Sequence, residues 1–284
     1  MALEPGGDEE KEWLAEDQSA VTGLSGRGWW LFKAVKQGSS TGYRRSDDFS
    51  EKAVAELGRL IDVPVADVDL AVRNQREGVI SHNVRPDTHD LIHGDILLVD
   101  RAPGYISCGG SQRPKNRVDH TLPNIGMVLA GMAGPSGPCS DWSAQEVFAG
   151  FLVLDAWVAN TDRHALNWSV LERREDGERT LAPSFDHGSA LGSGMADGDL
   201  PDDPEAKWCL RGQARCFENS PTLVDLAHEA IGRWGGRSQG WIDRLSNMAN
   251  ADLDAVLEGI PQLSPPRRTF IKSVLLGNQR RLVP

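Results

Sequence analysis

Two apolar patterns divide the chain. In the first third they are short runs of strand length. Trp29-Trp30-Leu31-Phe32 ends at Lys33, the stretch from Val63-Pro64 to Val72 predicts a turn and a strand, and Gly78 to Val84 predicts a second strand. Between them Ala53, Val54, Leu57, Leu60 and Ile61 recur at helical spacing, with Ser50 placed to cap that helix. Asp95 to Val99 is a short apolar segment. Residues 101–143, rich in Gly, Pro, Ser and Asn, predict loops broken by one short helix over 122–129. Val147, Phe148, Phe151, Leu152 and Val158 then predict a buried helix from Gln145 to Ala159. A hairpin follows, with Trp168 to Leu171 as one strand, Asp176-Gly177 as the turn and Thr180 to Phe185 as the return. Helical patterns occupy 221–233, 239–258 and 265–280, the last opened by Ser264-Pro265-Pro266.

Strands gathered early and helices gathered late predict an α+β chain of two lobes. The expected division is an acidic, mobile tail at 1–18, a small β-rich N-lobe at 19–100 and a mostly helical C-lobe at 101–284. In the tail, Trp13 and Leu14 could dock as a short helix.

Composition narrows the class. The 284 residues are 39% hydrophobic and 25% charged, as in ordinary globular proteins. The net charge of -11 and the lack of a basic run argue against direct nucleic-acid binding. Four cysteines (Cys108, Cys139, Cys209, Cys216) without a paired spacing predict reduced thiols rather than a disulfide framework or a zinc site. No run approaches a membrane span, so a cytoplasmic location is expected.

The candidate chemistry lies in the stretch 154–191. Asp162 is followed five residues later by Asn167 and, beyond the hairpin, by Asp186 in Asp186-His187-Gly188. Phosphoryl transfer needs this set: one carboxylate to orient or deprotonate a hydroxyl, then an amide and a second carboxylate to supply oxygen ligands for magnesium. Each residue alone also reads as a cap or a turn residue. Helix, loop, hairpin and second Asp in that order favour the joint reading. The small residues of Ser19 to Gly28, just ahead of the run ending at Lys33, suit a loop that covers a nucleotide, or an ordinary hairpin turn.

Asn160-Thr161-Asp162-Arg163-His164, with Asn167, and then Leu181-Ala182-Pro183, with Phe185-Asp186-His187-Gly188, resemble the HipA-like kinases, relatives of the phosphatidylinositol 3/4-kinases. Leu31-Phe32-Lys33, Gly78 to Ser81 and Leu91 to Gly94 extend the resemblance over roughly residues 20–275. It implies a bilobal protein-kinase-like fold using ATP and Mg2+, with serine or threonine of a protein as the acceptor. It also implies that Lys33 contacts the ATP phosphates and that Glu51 pairs with Lys33, Glu56 being the alternative. Arg163 and His164 belong to the motif, either stabilising charge in the transition state or bracing the loop, and bracing suits His164.

The chain resembles a short form, with about thirty residues before Lys33 and no extra N-terminal segment. A DNA-binding antitoxin partner is therefore possible but not indicated. Small-molecule phosphorylation, nucleotidyl transfer and a catalytically silent nucleotide-binding module are the rival readings. Gly192 to Glu205 is expected to be a flexible acidic loop for activation or substrate docking, with Lys207 and Arg211 near the phosphate end of the cleft.

Overall fold

The computed structural model describes residues 2–3, 11–15, 28–38, 42–107 and 118–283. The expected loop at 19–27, the hydroxyls at 39–41 and Cys108 lie outside the described residues. Five antiparallel strands build the first sheet: β1 (Ala2–Leu3), β2 (Lys11–Ala15), β3 (Trp29–Ala34), β4 (Val68–Arg73) and β5 (Arg76–His82), in the order β1-β2-β3-β5-β4. The run Trp29 to Lys33 is central because both of its edges are used. Lys33 pairs with Lys11 on one side and Val79 on the other. Residues 11–15, expected in a mobile tail or a docked helix, are instead a strand, with Trp13 opposite Leu31. Pairing with the apolar central strand satisfies their backbone groups, a gain that no local periodicity announces. β4 and β5 join through Asn74 and Gln75, both at positive φ (50° and 63°), as a two-residue type I′ turn requires.

Helix α1 (Asp47–Leu60) starts before the expected cap. Asp47 and Asp48 occupy its first turn, where negative charge complements the helix dipole. Ser50 lies inside the helix, and its hydroxyl donates to the Ala190 carbonyl at 3.0 Å.

The chain leaves the first sheet before residue 100. β6 (His89–His93) pairs with β7 (Ser169–Arg173), which pairs with β8 (Arg179–Leu181), forming a second, three-stranded sheet. The Asp176-Gly177 turn closes that hairpin, with Gly177 at φ 74°. The expected apolar segment at 95–99 is helix α2 (Gly94–Arg101), and α3 (Leu122–Leu129) falls on its predicted residues.

Helix α4 (Ala144–Val158) is the axis of the helical part, buried on every face beyond its first turn. A capping box starts it: Ser143 Oγ accepts from the Glu146 amide and Glu146 Oε2 accepts from the Ser143 amide. After it come α5 (Pro204–Lys207), α6 (Leu223–Trp234), α7 (Gly240–Ser246), α8 (Asn250–Glu258) and α9 (Pro265–Leu282), of which α6, α7 and α9 pack on α4 while α5 and α8 pack on α9. The expected helix over 239–258 is therefore two helices. One core joins α1 (Phe49, Ala53, Val54, Leu57) to α4, α6 and α9, so α1 is packed into the helical part while its other face carries the first sheet. No helix of the described residues is long and apolar enough to cross a membrane. Cys139, Cys209 and Cys216 are buried free thiols, and burial pushes Cys209 up to about 11.

Candidate active site

Lys33 is delivered by the central strand. Its backbone carbonyl lies so close to Gly78 that a side chain there would meet it, a Cβ falling 2.2 Å away. Glycine at 78 thus lets β5 close on β3 beside Lys33. The Lys33 ammonium donates to Asp186 Oδ1 at 2.7 Å and to Glu51 Oε1 at 3.2 Å. Of the two glutamates considered for Lys33, Glu51 is the one it meets, whereas Glu56 pairs with Lys52 and Arg59. Glu51 Oε2 also accepts from the His187 amide at 2.8 Å, so one buried carboxylate holds both the lysine and the Asp-His-Gly turn.

The electrostatics of this trio differ from member to member. Burial raises the Glu51 carboxyl above its ordinary range, and the Lys33 ammonium offsets this only in part. Burial also opposes ionisation of Asp186, but there the Lys33 ammonium wins and holds the carboxyl well below the usual range. Burial keeps His187 far below an ordinary imidazole, hence neutral, and its Nε2 meets Ser184 Oγ at 2.8 Å. Asp186 sits at φ 62°, a strained region for a residue with a side chain.

The loop after α4 fixes Asp162 and Asn167 relative to each other. Ala159, at φ 54°, ends the helix, and the Asn160 side chain accepts from the Asp162 amide at 3.2 Å. Asn167 Nδ2 donates to the Asp162 carbonyl at 2.8 Å, which closes the loop. The Asp162 side chain keeps 31% of its surface exposed. Its Oδ1 is approached by the Cys216 thiol at 3.6 Å, and its Oδ2 by Ser189 Oγ at 3.4 Å and His164 Nε2 at 4.0 Å.

Arg163 does not reach the cleft. Its guanidinium is buried against Asp155, Nε and Nη2 donating at 2.7 and 2.8 Å, while Nη1 donates to the Asn167 carbonyl at 2.8 Å. Of the two alternatives for Arg163, this placement matches a contact that braces the loop. A buried guanidinium needs its partner carboxylate, and that partner lies beneath the loop. His164 is also buried, and its Nδ1 accepts from the Leu166 amide at 3.2 Å.

Asp155, Cys216 and Ser189 escaped the sequence reasoning, and Asn160 entered it only as part of the motif. Asp155 had a usable signal: a lone carboxylate inside Phe-Leu-Val-Leu-Asp-Ala-Trp-Val must be paired once that helix is buried. Cys216 comes from a distant loop and had none. The expected flexible loop at 192–205 is anchored instead. Arg267 donates to Asp197 Oδ1 and to the Gly192 and Met195 carbonyls, and Ser264 also meets Asp197. Helix α5 and the turn after it pack on α9, which places the backbone of Lys207 and the Arg211 region there.

No protein-family model matches the chain, and no curated protein matches it. Solved structures do. The Helicobacter pylori proinflammatory kinase CtkA superposes with a TM-score of 0.63 at 16% identity, covering 90% of this chain and 88% of that one. HipA of Shewanella oneidensis MR-1, solved with HipB and operator DNA, superposes with a TM-score of 0.57 at 12% identity, over 99% of this chain and 64% of HipA. This chain therefore spans less than two thirds of the length of HipA. At such identities the likeness concerns backbone architecture. The small antiparallel sheet, the helical part and the loop joining Asp162 to Asp186 thus build an α+β, bilobal fold of the HipA-like kinase type.

Proposed function

We propose that this protein is an ATP-dependent kinase that transfers the γ-phosphate to a hydroxyl, the acceptor being serine or threonine of a protein. One observation carries the reading. A β-strand, a helix and a loop far apart in sequence bring Lys33, Glu51 and Asp186 into one ion cluster, beside a loop that holds Asp162 and Asn167. A fold kept only for binding has no need of a carboxylate poised beside that cluster.

The donor set fits magnesium. Asp186 Oδ2 and Asn167 Oδ1 are hard oxygens, and magnesium takes one or two such protein ligands and completes its shell with phosphate and water. When bound there, the ion neutralises phosphate charge. Lys33 binds the phosphates, and Glu51 fixes the ammonium in place. Asp162 orients the acceptor hydroxyl and takes its proton, while Asn160, Asn167 and the Asp155–Arg163 pair keep the loop from shifting. Catalysis here is positioning and charge placement, as in other phosphoryl transfers. The protein acceptor is supported by the resemblance of the motif residues, while the fold shared with CtkA and HipA supports only the kinase class.

The test is transfer of label from γ-labelled ATP with magnesium to lysate proteins, comparing the wild type with Asp162→Ala and Asp186→Asn. Losing the general base lowers the rate by about 10²- to 10⁴-fold. Equal labelling by all three proteins, or no labelling despite an ATP-dependent rise in Tm, would overturn the reading.

A further inference from the structure

Ser189 follows the Asp-His-Gly triplet and is exposed, so packing does not dictate its place. Its hydroxyl donates to Asp162 Oδ2 at 3.4 Å. That is where a phosphate acceptor must sit, since a base must lie within reach of the proton it takes, and such contacts are often long before substrates bind. The surrounding turn is fixed at both ends. His187 N donates to Glu51 Oε2 at 2.8 Å, Ala190 N to the His187 carbonyl at 3.0 Å, and Leu191 N to the Val158 carbonyl at 2.9 Å. Ser50 Oγ holds the Ala190 carbonyl at 3.0 Å. Asp186 (φ 62°) and Leu191 (φ 53°) flank the turn in strained backbone. The hydroxyl is thus held at the base by α1 and α4 together.

Resting on the kinase reading above, we propose that Ser189 is a self-acceptor, phosphorylated by its own chain. Ser189 Oγ forms a bond to the γ-phosphorus of ATP as the bond from that phosphorus to the β,γ-bridging oxygen breaks. The electron pair leaves with ADP, and the hydroxyl proton passes to Asp162 Oδ2. The product places about −1.5 to −2 charges beside Asp162 and Asp186. It fills the acceptor position and repels both carboxylates. Self-phosphorylation therefore stops after one phosphate per chain at this position and slows transfer to other acceptors.

The experiment incubates the full chain with ATP and magnesium, follows intact mass, and locates phosphate by fragmentation. The expected result is a gain of one phosphate on Ser189, with a rate constant independent of protein concentration. Ser189→Ala loses that phosphopeptide while its Tm is retained. Chains carrying Asp162→Ala gain no phosphate on Ser189, even when mixed with wild type, because only the chain's own base reaches this hydroxyl. Ser189 left unmodified while other acceptors are labelled would overturn the self-acceptor and leave the kinase reading standing. Labelling of Asp162→Ala chains at Ser189 by the wild type would do the same. No label anywhere and no ADP released would remove both.

Discussion

Asp162 and Arg163 are neighbours in sequence and face opposite surroundings. Asp162 opens towards the cleft with 31% of its side chain exposed, whereas the Arg163 side chain keeps 3%. The two regions they belong to hold similar charges to different ends. In the cleft, Lys33 is shared between two carboxylates, Glu51 raised by burial and Asp186 lowered by the ammonium. Beneath the loop, Asp155 is buried and accepts three hydrogen bonds from Arg163 and Asn160, so no ligand reaches it. Membership of a motif therefore does not assign chemistry. What decides it is whether the polar atoms are already satisfied.

Breaking the buried region should have the largest effect on the fold. Arg163→Ala strands Asp155 and is expected to cost about 3–5 kcal/mol, with Tm falling on the order of 10 °C in a thermal melt. If Arg163→Ala melted like the wild type yet lost activity, the contrast with Asp162 would collapse. Breaking the cleft should act on rate instead. Lys33→Met is expected to lower transfer by about 10²- to 10³-fold, the scale for losing one preorganised donor. It should also shift the pH dependence of stability, because without the ammonium burial raises the Asp186 carboxyl and its contribution near neutral pH is lost. With Lys33 present the Asp186 carboxyl titrates below its unfolded value, so its contribution is complete above that value and fades only as pH falls through the lower, folded one. Urea midpoints from pH 3 to neutral pH would show the shift.

His187 sharpens the comparison with a smaller effect. Its folded pKa lies well below 6.5, so below about pH 6.5 the unfolded chain binds a proton that the folded chain refuses. Stability should then fall with pH by up to about 1.4 kcal/mol per unit from this group alone. His187→Gln keeps a polar group for Ser184 and removes the titration. Denaturation midpoints of the two proteins at pH 5 and pH 7 should differ in their pH dependence, and parallel profiles would show that His187 is not buried and neutral.

Much of the architecture was legible because its signals are local. The apolar periodicity of α4, the turn at Asp176-Gly177, the short helix at 122–129 and the start of α9 at Ser264 each follow from residues within a few positions of one another. Strand β2 was not legible, because its pairing with β3 crosses a long sequence interval and Glu-Trp-Leu has no decisive period. The cap at Ser50 was misplaced because its hydroxyl serves Ala190, a partner 140 residues away.

By itself the sequence determined the class of fold and the order of the chemically competent residues, since propensity, periodicity and motif spacing are properties of neighbouring positions. It offered Asp162, Asn167 and Asp186 as a set, and Lys33 with Glu51 through resemblance. Only the tertiary structure decided that Lys33 touches both Glu51 and Asp186, that Arg163 turns inward to Asp155, and that Ser189 and Cys216 approach Asp162. The physical reason is common to all of these. A charge or hydroxyl takes its role from the partner that satisfies it, and here the partners arrive from strands, helices and loops far apart in sequence.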